Sequence, residues 1–405
     1  MPANRRAIFL DKSTPPHIAS MILLTSVAAL GMNLFLPSLP GMAEFFDAPY
    51  EVIQLSVAGY LGVNALLQIV IGPLSDQFGR RRVMLWATAI FIVATVGCLF
   101  STNVWVFLTF RMMQASIVAG LVLPRAAIRD LYTQDESASM MGYVTMGMSV
   151  APMLAPAVGG VLDQAFGWHA SFVAYLLAGI GALALAYYDM GETAAAATSN
   201  LRGQLKAYPE LLTAPRFWGY AATAAFSSGA FFAYLGGAPY VGSEVFRMSP
   251  AVLGIYFGAP AVGYFVGNFI TARFAVRLGT NRMVLYGSVI SALGLGMACL
   301  LSVGGLESPE VFFGFMTFVG LGNGLVIPNA TAGMLSVRPH LAGTASGLGG
   351  AIMIGGGAAL SILAGILLAG GSSALPLTTL MTVSSALAVA SILFVLRREA
   401  RLRRM

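Results

Sequence analysis

The sequence predicts an all-α membrane protein whose twelve transmembrane helices form two six-helix pseudo-repeats. Of its 405 residues, 58% are hydrophobic and only 9% are charged, against roughly 25% charged residues in a soluble domain. Apolar segments of about 20 residues, the length that crosses the hydrocarbon core, recur along the chain. A glycine-containing turn also repeats, at Gly79 and Gly279.

This composition excludes several classes of protein. The chain has too few polar residues to cover a soluble globule, so it is neither a cytosolic enzyme nor a disordered protein. The net charge of +6 does not indicate a nucleic-acid binder, because the basic residues sort by membrane side along an apolar chain. Cys98 and Cys299 lie in apolar runs, which excludes a disulfide framework and favours buried thiols.

The apolar segments define the predicted helices. The first starts near His17, is too long for the core of a signal peptide and lacks an A-x-A cleavage site, so we expect a membrane helix there. The twelve segments run near 17–39, 51–73, 83–101, 104–127, 137–162, 169–188, 217–239, 250–273, 281–303, 309–334, 342–368 and 374–396. The alternating pattern of a membrane barrel is absent.

The basic residues predict the orientation. If both termini are cytoplasmic, 20 of the 22 Lys and Arg residues lie on the cytoplasmic side, as the positive-inside rule requires. The exceptions are Arg247, in an outer loop, and Arg111, inside a helix. The four tryptophans fall near predicted helix ends, where interfacial rings belong: Trp86, Trp105, Trp168 and Trp218.

The segment 189–215 interrupts the hydrophobic pattern. It contains an Ala/Thr run and a short amphipathic stretch, which predicts a cytoplasmic linker with a helix lying on the membrane surface. The linker separates an N-terminal half, residues 1–188, from a C-terminal half with a basic cytoplasmic tail, residues 216–405. Two parallel six-helix repeats are typical of transporters, with a substrate site near the bilayer midplane between the halves.

The loop at residues 72–82, with the sequence GPLSDQFGRRR, resembles the signature between helices two and three of the major facilitator superfamily. Its second copy, at residues 272–279, lacks the aspartate. The resemblance extends over nearly the whole chain and implies the twelve-helix transporter fold.

Three further stretches narrow the resemblance to the Bcr/CflA, or bicyclomycin-resistance-type, drug exporters. They are NLFLPSLP at 33–40, RAAIRD at 125–130 and APMLAPAVGG at 151–160. The resemblance implies efflux of amphipathic compounds across the bacterial inner membrane, usually driven by proton entry.

The loop residues Asp76, Gly79, Arg80 and Arg81 are candidate gating residues. Gly79 can adopt the positive φ of a tight turn. Asp76 can face a helix N-terminus or a neighbouring arginine, and the resemblance implies a cytoplasmic latch between the halves. The alternative is that the arginines only anchor the topology.

Arg111 and Gln114 are candidate coupling residues in the fourth helix. A charge inside the membrane costs at least ~2.5 kcal/mol and normally faces a cavity or a partner. The Arg-x-x-Gln pattern resembles one that is linked to proton coupling in the family. The alternative is that Arg111 snorkels to the outer interface.

The fifth helix carries a motif that we expect to act mechanically. Pro152 and Pro156 remove backbone donors and bend the helix, while Gly159 and Gly160 permit close approach of a neighbour. The alternative is ordinary membrane packing, in which Gly and Pro are common.

Relatives of this type often carry a carboxylate in helix one, at the position of Asn33 or nearby. All 16 acidic residues of this chain fall at predicted helix ends or in loops. The sequence therefore does not support proton antiport by a mid-membrane carboxylate. Asp130 and Asp163 remain as candidates at helix ends, with interfacial solvation as the alternative.

Polar, aromatic and methionine side chains in the middle of helices are candidate substrate contacts. A mostly apolar lining with a few polar points suits amphipathic ligands, although core packing is an equally good explanation of any one residue. The candidates are Asn33, Asn64, Gln68, Tyr143, Met146, Phe231, Tyr234, Tyr256 and Asn323.

Three hypotheses for function follow. The first is a drug exporter of the resistance type, and the second is a transporter of a specific metabolite, not necessarily proton-coupled. A membrane enzyme or receptor is the third and weakest, because no metal or nucleotide motif is present. We expect a small-molecule substrate and the lipid bilayer as partners, with protons as a further candidate, and we expect no cofactor, no metal and a monomeric state.

Overall fold

The computed structural model describes residues 7–131, 140, 144, 154–193, 209–338 and 342–402. In these ranges the chain is helical and contains no β-strand. The helices of the first half are α1 (Ile18–Asn33), α2 (Leu39–Phe45), α3 (Tyr50–Phe78), α4 (Arg80–Leu99), α5 (Val104–Gln114), α6 (Ala119–Leu131), α7 (154–166) and α8 (His169–Tyr188). Those of the second half are α9 (Pro215–Tyr240), α10 (Pro250–Phe257), α11 (Ala259–Leu278), α12 (Thr280–Val303), α13 (Pro309–Val337), α14 (Ala342–Leu368) and α15 (Leu375–Leu402).

The predicted membrane fold is confirmed. Ten helical spans among the described residues are long and apolar enough to cross a bilayer. Helix α9 adds 26 residues at the seventh predicted segment, more than the ~20 that a crossing needs. The remaining predicted segment, 137–162, lies largely outside the described residues and overlaps α7 at its end, so the structure is consistent with twelve helices.

Proline interrupts the first span between α1 and α2. Pro37 sits in a 3₁₀ turn over Leu36–Ser38, and Pro40 stands at the start of α2. Proline lacks a backbone donor and is tolerated in the first turn of a helix. The span therefore departs from regular α-helical geometry here, close to Asn33.

The repeated turn predicted from the two glycines is present in both halves. Gly79 is the only residue between α3 and α4, and Gly279 is the only one between α11 and α12. Their φ angles are +94° and +82°, a region that favours glycine. We call the end of the helix bundle that carries these turns the inner end. The opposite end, with Tyr50 and Tyr240, is the outer end.

Within each half, neighbouring helices pack against one another. In the first half α4 lies against α5 and α8, and α1 lies against α6 and α8; in the second, α13 lies against α9, α11 and α12. Helix α3 also packs along α14, which joins the halves. The interface between the halves is where a transporter of this fold would hold its substrate.

Candidate functional site

Arg111 lies at the centre of the first half and is fully buried. Its guanidinium donates to the backbone carbonyl of Ser56 (Nε, 3.1 Å), to Oε1 of Gln114 (Nη1, 2.8 Å) and to the carbonyl of Gly31 (Nη2, 2.8 Å). These acceptors come from α3, α5 and α1. The arginine thus ties three helices together, and it does not snorkel to an interface.

Two aromatic rings complete the surroundings of this cation. The Cζ atom of Arg111 is 4.3 Å from the ring centroid of Phe35 and 4.2 Å from that of Tyr60, within the range of cation–π attraction. Gln114 donates onward to the hydroxyl of Thr95 at 2.8 Å. In the part of the chain that the structure describes, no carboxylate forms a salt bridge with Arg111. Carbonyl dipoles, an amide and aromatic faces therefore compensate the charge.

Arg80 organises a second charged cluster, at the inner end. Its side chain is 5% exposed and pairs with Asp76 (Nη2–Oδ1, 2.9 Å) and with Asp130 of α6. Its backbone N–H donates to Oε1 of Glu192 at 2.8 Å, which satisfies one of the unpaired donors at the start of α4. Arg81 donates to the carbonyl of Tyr187 at 2.9 Å.

These partners belong to the first half and to the start of the linker. In this conformation the cluster fastens α3, α4 and α6 to one another on the inner side, and the latch between halves that the resemblance implies stays a prediction. The sequence does not identify Glu192 as a partner of Arg80, because this contact forms only when the chain after α8 lies beside Gly79.

The halves meet at the outer end through polar contacts and close backbone approach. The hydroxyl of Tyr50 donates to the carbonyl of Gly236 at 2.9 Å, and the side-chain amide of Gln54 donates to the carbonyl of Ser361. Gln54 is 2% exposed. It was not among the predicted site residues, although a polar residue near the start of an apolar span could have indicated a buried polar contact.

The fifth-helix motif contributes to the same closure. A Cβ at Gly160 would collide with the carbonyl of Pro250, and a Cβ at Gly254 would collide with that of Pro156. A Cβ at Gly159 would lie still closer to the carbonyl oxygen of Leu34, a contact within the first half. Helices α7 and α10 thus approach at backbone distance on the outer side. Pro152 lies outside the described residues.

A cavity of about 560 Å³ opens above this outer contact. Three acidic residues and two tyrosines are among those that line it: Glu44, Asp47, Glu244, Tyr50 and Tyr240. The centroids of the two tyrosine rings, one from each half, are 5.0 Å apart.

Asp163 also lies at the outer side, one residue beyond the predicted fifth segment. Burial raises the pKa of its carboxyl group.

On the inner side, Arg125 of α6 behaves differently from Arg111. It is exposed although it lies within a membrane span. Its charge interacts with the hydroxyl of Tyr264, which belongs to α11 in the second half. Arg125 of the first half thus lies near Tyr264 of the second half on the inner side.

The predicted substrate residues of the first half fall into two groups. Asn33 is buried and donates to the carbonyl of Ala29 at 2.9 Å. Asn64 is also buried, and its Oδ1 accepts from Gln68 at 2.8 Å. Gln68 is only partly buried and faces Gly350 of α14, so it lies at the interface between the halves. Tyr143 and Met146 lie outside the described residues.

In the second half, three predicted residues join one aromatic cluster. Phe231 stacks on Tyr234 with centroids 6.4 Å apart, and both Tyr234 and Tyr256 contact Phe313. Tyr234 is fully buried and donates to the Phe257 carbonyl at 3.1 Å, which favours core packing for this residue.

Tyr256 and Asn323 are each engaged elsewhere. Tyr256 donates to Oε1 of Glu310 at 3.2 Å, near the start of α13. Asn323 is buried and accepts from the hydroxyl of Ser227 at 2.7 Å. The structure therefore does not bring all the predicted substrate residues to one surface, because several satisfy their polar atoms within their own half.

Comparison with known proteins gives a consistent result. The family model of the Major Facilitator Superfamily matches residues 21–362. The MFS-type transporter YdgK of Bacillus subtilis (strain 168) is 30% identical over 379 residues, which cover 91% of this chain and 93% of YdgK. The chloramphenicol resistance protein of Pseudomonas aeruginosa is also 30% identical, covering 83% of this chain and 82% of its own. The multidrug resistance protein D of Escherichia coli (strain K12) is 28% identical, with coverage of 91% and 93%.

Solved structures show the same fold. A bacterial homolog to the human lysosomal transporter Spinster superposes with a TM-score of 0.72 at 17% identity, covering 94% of this chain and 96% of that one. The peptide transporter POT in complex with sulfate superposes with a TM-score of 0.75 at 12% identity, covering 96% and 95%. The resemblance inferred from the loop and helix-five motifs is thus confirmed, and the chain belongs to the Major Facilitator Superfamily.

Proposed function

We propose that this protein is a secondary active transporter that exports amphipathic small molecules, as in drug or xenobiotic efflux, across the bacterial inner membrane. The proposal is supported by similarity to proteins named for resistance to chloramphenicol, to bicyclomycin and to multiple drugs. The interface between the halves, where Gln68 faces Gly350 of α14, supports a substrate with both apolar and polar groups.

Alternating access is the mechanism that the geometry favours. The contacts between halves that involve Tyr50, Gln54 and Gly160 all lie at the outer end, whereas Arg125 is exposed on the inner side. This distribution corresponds to an inward-facing state. Rocking of residues 1–188 against residues 216–405 would break the outer contacts and close the inner side, with the linker 189–215 and both termini in the cytoplasm.

Proton coupling, as we propose it, does not use a carboxylate in helix one. The side-chain amide of Asn33 cannot titrate. Asp130 is engaged by Arg80. Asp163 is the better candidate, because its raised pKa brings protonation nearer to neutral pH on the side from which protons would enter.

Drug export can be tested by deleting and overexpressing the gene and measuring minimum inhibitory concentrations for a panel of chloramphenicol-like and cationic compounds. We expect overexpression to raise the inhibitory concentration of at least one amphipathic compound. If no compound changes, drug export is contradicted and the metabolite-transporter hypothesis takes its place.

Proton coupling has a separate test. Addition of a substrate to energised everted vesicles is expected to dissipate part of the pH gradient, and Asp163→Asn is expected to reduce this response. Transport without any pH change would refute the coupling while leaving the export proposal intact.

A further inference from the structure

The N-terminal segment of residues 7–16 folds against the inner end of α8 rather than extending away from it. Asp189, directly after α8, is fully buried. Its Oδ1 accepts the backbone N–H of Leu10 at 2.6 Å, and its Oδ2 accepts that of His17 at 2.9 Å. One carboxylate thus fixes both ends of this short loop.

Other contacts make the loop compact. The hydroxyl of Thr14 accepts the N–H of Ile8 at 3.1 Å and donates to the carbonyl of Asp11 at 2.9 Å. Gly191 packs so closely that a Cβ there would lie 2.8 Å from the Lys12 carbonyl oxygen. Leu10 has a φ of +65°, which a branched side chain rarely adopts and which persists only where surrounding structure enforces it.

The enforced conformation presents apolar side chains to the surroundings. Ile8, Phe9 and Leu10 are 56%, 47% and 50% exposed. Three consecutive large apolar residues on a pinned loop are unfavourable in water. Tyr187 and Tyr188, on the adjacent turn of α8, are also exposed, as side chains at a membrane interface are.

Cationic side chains lie beside the apolar triplet. The Nζ atom of Lys12 is 5.4 Å from the centroid of the Tyr187 ring, and the Cζ atom of Arg81 is 5.3 Å from the same centroid. Two positive charges thus converge on one ring at the interface. In the sequence, Arg5 and Arg6 add two more charges just before the loop.

We propose that residues 7–12 form a membrane-surface anchor that binds anionic phospholipid in the cytoplasmic leaflet. Ile8, Phe9 and Leu10 enter the boundary between headgroups and acyl chains, while Lys12 and Arg81 hold the lipid phosphate. Apolar insertion combined with basic residues is the combination that selects anionic membranes. The assignment to the cytoplasmic leaflet rests on the topology proposed above, but the site itself does not depend on the transported substrate.

The anchor also lies next to the inner charged cluster. Asp189 holds the loop, and Glu192, three residues later, binds the backbone of Arg80. Lipid bound at the anchor would therefore restrain the chain that caps α4. Through this connection, lipid composition would affect the inner charged cluster around Arg80.

The test places a nitroxide at residue 9 of the full chain, as Phe9→Cys with Cys98→Ala and Cys299→Ser. The protein is reconstituted in phosphatidylcholine vesicles with and without phosphatidylglycerol. Relaxation by oxygen, which concentrates in lipid, is compared with relaxation by a water-soluble nickel complex. Ser13→Cys, an exposed polar position on the same loop, is the matched control.

We expect the label at position 9 to be relaxed mainly by oxygen and the control label mainly by nickel. Phosphatidylglycerol should shift the label at position 9 deeper, and Lys12→Gln should cancel that shift. Asp189→Asn should move the label toward water, because an amide oxygen can replace only one of the two acceptors.

An aqueous label at position 9 in both vesicles overturns the proposal. So does a label protected from both relaxants, which would mean that the linker covers the triplet. A buried label whose depth ignores phosphatidylglycerol overturns the anionic-lipid assignment. None of these outcomes bears on drug export, so failure of the anchor is distinguishable from failure of the proposed function.

Discussion

Arg111 in the first half and Met316 in the second occupy corresponding positions. Each lies the same number of residues after the side chain that caps its helix, Asn103 in α5 and Ser308 in α13. Both are fully buried. One interior position thus holds a guanidinium bonded to three helices, and its counterpart holds a flexible apolar side chain.

The difference extends along the helix. Gln114 of the first half, which passes a hydrogen bond from Arg111 to Thr95, corresponds to buried Val319 in the second half. Hydrogen bonds fix direction and distance, whereas apolar packing tolerates small shifts. We therefore expect the first half to move as a rigid body and the second to adapt its packing during transport.

Replacing Arg111 with the residue at the corresponding second-half position, Arg111→Met, should have the largest effect on transport. The carbonyls of Gly31 and Ser56 would lose a buried donor, at about 1–3 kcal/mol each, and α1, α3 and α5 would lose their common partner. We expect transport to be abolished while the protein still inserts. Drug efflux from cells, normalised to the amount in the membrane, measures this.

The matched control is Met316→Leu, a swap of similar volume that should cost less than about 1.5 kcal/mol. Its transport should stay near the wild-type level. Unchanged transport in Arg111→Met would remove the role assigned to the arginine, and equal losses in both variants would erase the contrast between the halves.

The second largest effect is expected at the outer contact between the halves. Gly160→Ala inserts a methyl group against the Pro250 carbonyl, and the backbone shift should cost about 1–3 kcal/mol. We expect the outward-closed state to be disfavoured and efflux to fall severalfold.

The control for this prediction is Gly62→Ala, at a glycine of α3 whose Cβ would meet no atom within 4 Å. Cross-linking between cysteines at the outer ends of α7 and α10 reports closure directly. Equal cross-linking in Gly160→Ala and wild type would contradict the proposed steric role.

A smaller difference in stability is expected between losing a partner of Arg80 in the first half and losing the partner of Arg216 in the second, where Arg216 forms a salt bridge with Glu399. Asp130→Asn removes one of two carboxylates from Arg80, whose side chain is 5% exposed, at about 1.5–3 kcal/mol. Glu399→Gln removes the partner of Arg216, whose side chain is 31% exposed, so solvent should limit the loss to about 1 kcal/mol or less. Thermal unfolding in detergent should show the larger decrease for Asp130→Asn, and the reverse order would contradict the account.

The smallest effect is expected for Tyr234→Phe. The buried hydroxyl donates to the Phe257 carbonyl, so its loss should cost about 1 kcal/mol. The apparent KM for substrate should not change if Tyr234 serves packing alone. A raised KM at unchanged stability would restore it as a substrate contact.

The sequence was sufficient to predict features that residue type controls. Positive φ at Gly79 and Gly279, the membrane spans and the burial of a charge at Arg111 all follow from the side chain itself or its apolar surroundings. The partners of Arg111 could not be predicted in this way, because the carbonyls of Gly31 and Ser56 are backbone groups that every residue carries.

Contacts between distant segments were equally inaccessible. Gly160 is recognisable as a site of close approach, but nothing in the sequence identifies Pro250 as the group that approaches. Tyr234 and Asn33 looked like substrate contacts because polar atoms in apolar helices need partners; the structure supplies those partners within the same half. The pairing of Gln54 with Ser361 depends on how α3 crosses α14.

We propose that this transporter exports amphipathic compounds and that the buried Arg111 cluster of the first half is necessary for export. Accumulation of radiolabelled chloramphenicol in energised everted vesicles tests both parts together. We predict accumulation with the wild-type chain and none with Arg111→Met at equal protein levels. Equal accumulation in the two preparations would contradict the role of the cluster, and accumulation in neither would contradict export of this compound class.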